Sequence, residues 1–375
     1  MRIAILASNF IRLPPEASFV PEGYSGAPEH IMSVITEALV LRGHEVTLFA
    51  SGDTKTQARL ISVTSKATAT DPQIGIRHHI DYEYLLAFRC YQLAQKGNFD
   101  IIHSIFDTRS ALFASFSSVP TVSTLHSPLA GIKKDILSKV SYTQWYVAIS
   151  NSQRLPLPHL RYIDTIYHGI DLASFPLSEG EKSYVILAGR MVENKGITVA
   201  IEASGKAGVP LYLLGEPQKN DPYWVDHVAP YIDRMHVHHE GFVERETLIR
   251  KYQQARALLF PIQWEEPFGL VMIEAMACGT PVIAYNRGSV PEVVQDGVTG
   301  FIIDPDNTDR PGKGSWVIKK QGVEGLVEAI QRIGEIDRRA CRNHVKAHFT
   351  VEKMVDSYEK VYAKIIASKG DALQS

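Results

Sequence analysis

Residues 257–284 read ALLFPIQWEEPFGLVMIEAMACGTPVIA, and this stretch alternates strand and helix signals in the order of a βαβ unit. The runs 257–260 and 281–284 are short and apolar, as buried strands are. Between them, Pro267 suits a helix start, and Gly279 followed by Pro281 marks its end. The helix is apolar on nearly every side, which predicts that it is buried. This succession predicts a parallel sheet covered by helices.

The same alternation continues along most of the chain. It predicts two doubly wound α/β domains, at 1–170 and 171–350, with a polar linker near 171–182 and helices at 30–42 and 351–367. The predicted strands are 2–7, 45–50, 100–104, 120–125, 146–149 and 165–167, then 184–188, 210–214, 236–239, 257–260, 281–284 and 300–303. Because ligands of such sheets bind outside the carboxyl ends of the strands, the residues that follow each strand are the candidates for a site.

The composition excludes several classes of protein. The 375 residues include 39 Lys and Arg against 41 Asp and Glu, so the net charge of −2 gives no basic surface for a nucleic acid. Three cysteines without a CxxC pair argue against a disulfide framework and favour a reducing compartment. No apolar run is long enough for a transmembrane helix, and the N-terminal run is too short for a signal peptide. We therefore expect a cytoplasmic protein that is at most peripheral to the inner face of the membrane.

The predicted buried helix contains one carboxylate, Glu274. Burying a charge is costly unless it is hydrogen-bonded, and the two hydroxyls of a ribose would satisfy it. The helix start offers the free amides of Gly269 and Leu270 to a diphosphate, and Glu266 stands just ahead, where it can accept hydrogen bonds from sugar hydroxyls. Either glutamate alone is more typical of a structural carboxylate. The whole string favours a ligand site.

A second motif follows the predicted strand at 184–188. Gly189 allows a tight exit from the strand, and Arg190 and Lys195 place two cations in one loop. Two cations suit the two phosphates of a diphosphate, where they can neutralise charge on a leaving group. The chain has no Gly-Lys-Ser/Thr P-loop and no Gly-x-Gly-x-x-Gly after a strand, which excludes ordinary NTPases and dehydrogenases.

Residues 189–196, 266–284 and 288–294 resemble the family-four retaining glycosyltransferases, with further matches at 42–46, 150–154, 168–171 and 241–243. The Glu-x7-Glu string with its flanks is specific, and the resemblance covers essentially the whole chain. It implies the GT-B fold, in which two Rossmann-like doubly wound α/β domains face each other across a cleft. The implied parts are an acceptor-binding domain at 1–170, a nucleotide-sugar-binding domain at 171–350, and a C-terminal helix at 351–375 that crosses back to the first domain.

The resemblance also implies the roles of individual residues. Arg190 and Lys195 would hold the donor diphosphate, Glu274 the ribose and Glu266 the transferred sugar, while His126 would approach that sugar. The amides around 268–270 would contact sugar and phosphate, and Val243 would lie near the base. The implied catalytic residues are therefore Arg190, Lys195, Glu266 and His126, and the implied donor-binding residues are Gly26, Gly189, Val243, Phe268, Gly269, Leu270 and Glu274.

The chain departs from the family pattern at two places. The family's Gly-Gly-x-Glu loop is replaced by Ser25-Gly26-Ala27-Pro28-Glu29, with one extra residue, so a contact of the Gly26 amide with phosphate depends on how the altered loop folds. In addition, His168 stands where an asparagine is common in the family.

The implied reaction is transfer of a hexose from a nucleotide diphosphate sugar to a hydroxyl acceptor, with retention of configuration by same-face substitution. No metal and no other cofactor is expected. The sequence leaves open UDP, GDP or ADP as the nucleotide, glucose, mannose or N-acetylglucosamine as the sugar, a sugar, lipid-linked or small-molecule acceptor, and the oligomeric state. Two alternatives stay open as well. One is a nucleotide-sugar epimerase of the same fold, and the other is a non-catalytic homologue that binds nucleotide sugars.

Overall fold

A computed structural model describes the chain except residues 17–19, 22–23, 25, 181, 233–235, 307–313 and 373–375. The chain divides into two compact units. Met1–His168 and Val351–Ser375 form unit 1, and Gly169–Thr350 forms unit 2. Each unit is a parallel sheet with helices, which confirms the predicted α/β class. Within the described part of the chain, no helix has the length and apolar character needed to cross a bilayer.

The strands follow the predicted order with two differences. They are β1 (Arg2–Leu6), β2 (Glu45–Phe49), β3 (Arg59–Ile61), β4 (Ile101–Ser104), β5 (Thr121–Thr124), β6 (Trp145–Ala148), β7 (Tyr162–Thr165), β8 (Tyr184–Ala188), β9 (Leu211–Leu214), β10 (Val237–His239), β11 (Ala255–Phe260), β12 (Val282–Tyr285) and β13 (Gly300–Ile303). The short strand β3 was not predicted. The strand predicted at 165–167 is wrong, because an irregular pairing with β6 admits the polar Asp164 into β7.

The helices cover the two sheets. They are α1 (Ala27–Leu41), α2 (Gly75–Ala94), α3 (Asp107–Ala114), α4 (Gly131–Lys139), α5 (Asn151–Arg154), α6 (Ile197–Ala207), α7 (Arg245–Gln254), α8 (Leu270–Ala277), α9 (Val290–Val293), α10 (Gly322–Arg332), α11 (Arg338–His348) and α12 (Val351–Ala372). The first helix begins earlier than the predicted residue 30, because Pro28 fits its first turn.

In unit 1 the sheet order is β3-β2-β1-β4-β5-β6-β7, and all strands are parallel. The last helix, α12, joins this sheet through a buried polar network. His103 of β4 shares hydrogen bonds with Tyr362 Oη (2.6 Å) and Thr124 Oγ1 (2.8 Å), and Thr124 Oγ1 also bonds Tyr358 Oη (2.9 Å). Since buried polar groups need partners, this network fixes the position of α12 on the sheet.

In unit 2 the sheet order is β10-β9-β8-β11-β12-β13. Its core holds the predicted buried helix α8, whose Met272, Ile273 and Met276 are all 0% exposed. The packing that buries α8 also fixes the loop at the carboxyl end of β11, where Glu266, Phe268 and Gly269 lie.

Candidate active site

The two strongest motifs meet at the point where the sheet of unit 2 changes its winding direction. The chain runs outward from β8 through β9 to β10, then returns to the other side of β8 with β11. The loops that follow β8 and β11 therefore diverge, and such a switch point forms a ligand crevice in open α/β sheets. One loop carries residues 189–196 and the other carries residues 261–269, so the fold brings together motifs that are distant in sequence.

A close backbone approach ties these two loops together. Gly196 has a left-handed φ of 70°, and a Cβ placed on it would lie 2.0 Å from the carbonyl oxygen of Pro261. The Gln263 amide donates to the carbonyl oxygen of Asn194 at 2.8 Å. Only glycine permits this contact, because any side chain at position 196 would collide with main chain that cannot move aside.

The tied loops place Lys195 against Glu266. Lys195 Nζ lies 2.6 Å from Glu266 Oε2, and the two side chains are only 15% and 12% exposed. The indole Nε1 of Trp264 donates to the same oxygen at 3.1 Å. The ammonium also lies 5.2 Å from the centroid of the Trp264 ring. Sequence reasoning did not predict this ion pair or the part played by Trp264, since nothing in the spacing connects the two loops.

The start of α8 differs from the sequence prediction. The helix begins at Leu270 rather than at Pro267, because Gly269 takes a left-handed φ of 79° and acts as its N-cap. Phe268 is 2% exposed and fills the core below this turn. The amides at the helix start are still those predicted for a phosphate or sugar, and the positive end of the helix dipole favours an anion there.

Glu274 has a protein partner that the sequence did not reveal. The fully buried Tyr252 of α7 donates its hydroxyl to Glu274 Oε2 at 3.3 Å. Part of Glu274 stays in contact with solvent, but enough protein surrounds the carboxylate that desolvation raises its pKa, while the charge of Arg245 and the Tyr252 hydroxyl act in the opposite direction. Among the described residues no donor to Oε1 is found, so that oxygen can accept a hydrogen bond from a ligand.

The loop after β12 clamps the loop after β11. The Gly288 amide donates to Glu265 Oε2 (2.6 Å), the Ser289 amide to the Glu266 carbonyl (2.9 Å), and Ser289 Oγ to the Phe268 carbonyl (2.8 Å). Gly288 has a φ of 56°, and a Cβ there would lie 2.2 Å from the Glu266 carbonyl oxygen. The motif at 288–294 thus has a physical role, since it holds the main chain of the glutamate motif in place.

Three further predicted residues follow β8 and β10, two strands of the unit 2 sheet that are separated by β9. Gly189 donates its amide to the Leu214 carbonyl at 2.9 Å, and the half-buried Arg190 comes next in the chain. Val243 is also half-buried and follows β10, beyond the exposed Phe242. These positions are compatible with contacts to a diphosphate and to a base, and both roles stay predictions.

The two predicted residues of unit 1 lie at the carboxyl edge of its own sheet. His126 follows β5, and its ring stacks on His168 with centroids 5.4 Å apart. Burial lowers the pKa of His126 to about 3, so its imidazole is neutral near pH 7. Gly26 caps α1 with a φ of 64°, and its carbonyl accepts from the His30 amide at 2.9 Å. Ser25 lies outside the described residues, and the roles of His126 and Gly26 stay predictions.

Two family models match consecutive parts of the chain. Residues 25–174 match the model described as Glycosyltransferase Family 4, and residues 171–311 match the model described as Glycosyl transferases group 1. The second match contains every site residue that follows β8, β10, β11 and β12. The first match contains Gly26 and His126.

Two named relatives align with this chain over most of their own length. The N-acetyl-alpha-D-glucosaminyl L-malate synthase of Bacillus anthracis is 24% identical over 88% of this chain and 91% of that protein. The D-inositol 3-phosphate glycosyltransferase of Mycolicibacterium paratuberculosis is 25% identical over 88% of this chain and 83% of that protein.

The fold has close counterparts among solved structures. Anabaena HepE in complex with UDP and glucose superposes with a TM-score of 0.69 at 18% identity, over 97% of this chain and 100% of that one. At this identity the likeness supports the fold. Together with the two family models, it shows that the chain belongs to the family-four glycosyltransferases of the GT-B fold.

Proposed function

We propose that this glycosyltransferase moves a hexose from a nucleotide diphosphate sugar to a hydroxyl acceptor and retains the configuration of the anomeric carbon. The observation that carries the proposal is the grouping of Lys195, Glu266 and the α8 N-terminus at the switch point of the unit 2 sheet. A cation and free amides suit a diphosphate, and a carboxylate suits sugar hydroxyls. The solved Anabaena relative holds UDP and glucose, a nucleoside diphosphate and a hexose.

The ion pair of Lys195 with Glu266 suggests how the donor is received. The diphosphate brings negative charge that competes with Glu266 for the ammonium. Trp264 donates to the same carboxylate oxygen, so Glu266 keeps a protein donor when Lys195 turns to the phosphates. No described residue donates to Glu266 Oε1, which leaves that oxygen for a hydroxyl of the transferred sugar.

In the proposed reaction the acceptor oxygen bonds to the anomeric carbon on the face from which the diphosphate oxygen departs. The acceptor proton passes to that departing oxygen, so no protein nucleophile is needed. Arg190, Lys195 and the start of α8 stabilise the charge that develops on the leaving diphosphate.

We also propose a cytoplasmic location, which the three free and buried cysteines support.

The test combines a donor panel with three variants. The protein is incubated with UDP, GDP and ADP sugars of glucose, mannose and N-acetylglucosamine, and release of the nucleoside diphosphate is measured. Arg190→Ala, Lys195→Ala and Glu266→Gln are each expected to lower kcat by about 10²-fold or more. Lys206→Ala is the matched control, because it removes another ion-paired lysine of unit 2, outside the site.

The outcome separates the proposal from its alternatives. Transfer is shown when a glycosylated product forms and its anomeric configuration, read by NMR, equals that of the donor. Conversion of the donor alone to an isomeric nucleotide sugar would instead identify an epimerase. If no nucleotide sugar binds or is consumed, the chain is not a transferase of this kind.

A further inference from the structure

The half-buried arginines and lysine that follow β1, β4, β5 and β6, at the carboxyl edge of the unit 1 sheet, contact residues of their own unit. Half-buried cations follow four adjacent strands, with Arg12 after β1, Arg109 after β4, Lys133 after β5 and Arg154 after β6. Such an edge is where a parallel sheet places its ligand. The half-buried Lys66 follows β3, the outermost strand and two strands away from β1. The charges nearest the winding change, between β1 and β4, are therefore the ones that decide what can bind.

Three of these cations face carboxylates. Arg109 Nη1 lies 3.0 Å from Glu83 Oε2, with side chains 26% and 7% exposed. Lys133 Nζ lies 2.6 Å from Asp107 Oδ2, with side chains 31% and 13% exposed. Arg12 pairs with Glu16, whose side chain is more exposed, at 43%.

The fourth cation, Arg154, contacts residues of β7 instead of a carboxylate. The guanidinium of Arg154 lies 4.5 Å from the centroid of the Tyr162 ring, at the first residue of β7, and Nη1 donates to Thr165 Oγ1 at 3.3 Å. Thr165 is the last residue of β7, so Arg154 stays at the carboxyl edge but is held against β7, the outermost strand and two strands away from β5. Residues 13–26, between β1 and α1, read LPPEASFVPEGYSG and contain no lysine or arginine.

Neutral hydrogen-bonding groups occupy the same edge. Asn9 follows β1 and is 0% exposed, and neither atom of its side-chain amide has a hydrogen-bond partner among the described residues. Both ring nitrogens of His126, after β5, are likewise buried without a partner in the described part of the chain. Buried polar groups normally have hydrogen-bond partners, so we expect a ligand to supply partners for these four atoms. An amide and a neutral imidazole both donate and accept, as sugar hydroxyls do.

Two carboxyl groups at this edge add to the selectivity, because each one repels an anion whenever it is ionised. Glu83 is 5% exposed, and Ser8 Oγ donates to its Oε1 at 3.2 Å. Glu29, in the first turn of α1, is close enough for the charge of Glu83 to act on it. An incoming carboxylate or phosphate would lose its hydration here, while the half-buried cations that follow β1, β4 and β5 already pair with carboxylates of the protein. Burying an unpaired charge in this way is costly.

We propose that the acceptor is an uncharged polyhydroxyl compound, a sugar or a related polyol, bound at the ends of β1, β4 and β5 in unit 1. Carboxylate and phosphate acceptors are rejected there. The inference rests on the proposed transfer function, and it separates this chain from the relatives whose names give L-malate and D-inositol 3-phosphate as their compounds, since both are anions.

The first test compares acceptors in pairs that differ only in charge. Release of the nucleoside diphosphate is measured with D-glucose against D-glucose 6-phosphate, and with myo-inositol against its monophosphate. We expect the neutral member of at least one pair to raise release above donor hydrolysis, with kcat/KM at least about tenfold above that of its phosphorylated partner. A preference for the phosphorylated members, or no response to either neutral compound, overturns the inference.

The second test uses no nucleotide sugar, so its result does not depend on whether the protein transfers a hexose. Glu83→Gln leaves Arg109 without its carboxylate, and L-malate should then raise the melting temperature of the variant but not that of the wild type. Asp107→Asn, which frees Lys133, gives an independent second variant. Glu179→Gln is the control, because it frees the exposed Arg339 in unit 2. L-malate should not raise the melting temperature of this variant. Equal stabilisation of wild type and Glu83→Gln by malate, or of neither, refutes the proposed charge neutralisation.

Discussion

Replacing Gly288 by alanine tests whether the β12 loop holds the glutamate motif in place. The added Cβ would lie 2.2 Å from the carbonyl oxygen and 2.4 Å from the amide nitrogen of Glu266. Both are main-chain atoms, so no side chain can rotate away to relieve the contact. The peptide of Glu266 or the loop of Gly288 has to move, and the hydrogen bond from Ser289 to the Glu266 carbonyl is stretched with it.

The size of the effect follows from this geometry. Normal contact requires a displacement of about 1 Å, and an error of that size in a positioning element costs about 10²-fold in rate. The positive φ of 56° adds about 1–2 kcal/mol of backbone strain for a residue with a Cβ. We therefore expect Gly288→Ala to fold with reduced stability and to lose about two orders of magnitude in kcat.

Gly208→Ala is the matched control. Gly208 has a similar φ of 68°, but a Cβ there meets nothing within 4 Å. The control variant should show the same loss of unfolding free energy from backbone strain in urea, and its kcat should not change. The measurement is donor consumption at saturating substrate, with stability followed in parallel. If Gly288→Ala turns over as fast as Gly208→Ala, then the clamp does not position Glu266 and the reasoning fails.

Three further predictions concern single side chains. Trp264→Phe keeps an aromatic ring at this position but removes the indole N–H, whose bond to a charged group is worth about 1.5–3 kcal/mol, so kcat/KM for the donor should fall about tenfold or more while binding of the nucleoside diphosphate alone is unchanged. Tyr252→Phe removes a long bond to Glu274 and should weaken nucleoside diphosphate binding by about 1 kcal/mol in calorimetry. Burial raises the pKa of Glu29 from 4.5 to about 7. Because the unfolded chain releases this proton at a lower pH, the free energy of unfolding of the wild type should fall by at most about 3 kcal/mol as the pH rises from 4.5 to 7. Glu29→Gln should lose this pH dependence in urea unfolding.

Each of these predictions has an outcome that contradicts it. Trp316→Phe serves as the control for the indole variant, because it removes a similar bond of 2.9 Å to Asp304 away from the site. Equal kinetics of the two tryptophan variants would exclude a positioning role for Trp264. An unchanged dissociation constant in Tyr252→Phe would show that Glu274 needs no support from α7. Parallel stability curves of wild type and Glu29→Gln would show that Glu29 titrates normally in the folded state.

The sheets were predictable because buried parallel strands read as short apolar runs. The runs at 257–260 and 281–284 correspond to β11 and β12 within one or two residues. Strands that are only partly buried, or that contain polar residues, do not show such a run and were not predicted correctly. Strand β3 has three residues, none of them buried, and β7 contains Asp164. The start of α8 was placed too early, because the left-handed turn at Gly269 depends on the packing of Phe268.

The site residues were recognisable from local strings, but their mutual arrangement was not. Lys195 and Glu266 each stood out in a motif, yet their ion pair arises only when β8 and β11 become neighbours in the sheet. Tyr252 gave no signal, since its hydroxyl reaches Glu274 from another helix. Local patterns can report which groups are present, whereas partners across a sheet are set by tertiary packing.

The route of the chain through the two units has a consequence during synthesis. Unit 2 is translated between the two segments of unit 1. Tyr358 and Tyr362, which bond Thr124 and His103, therefore leave the ribosome 234 and 259 residues after their partners, a delay on the order of ten seconds or longer at about 5–20 residues per second. The nascent β4 and β5 spend that interval without α12 packed against them, so unit 1 can reach its native state only after unit 2 has been made.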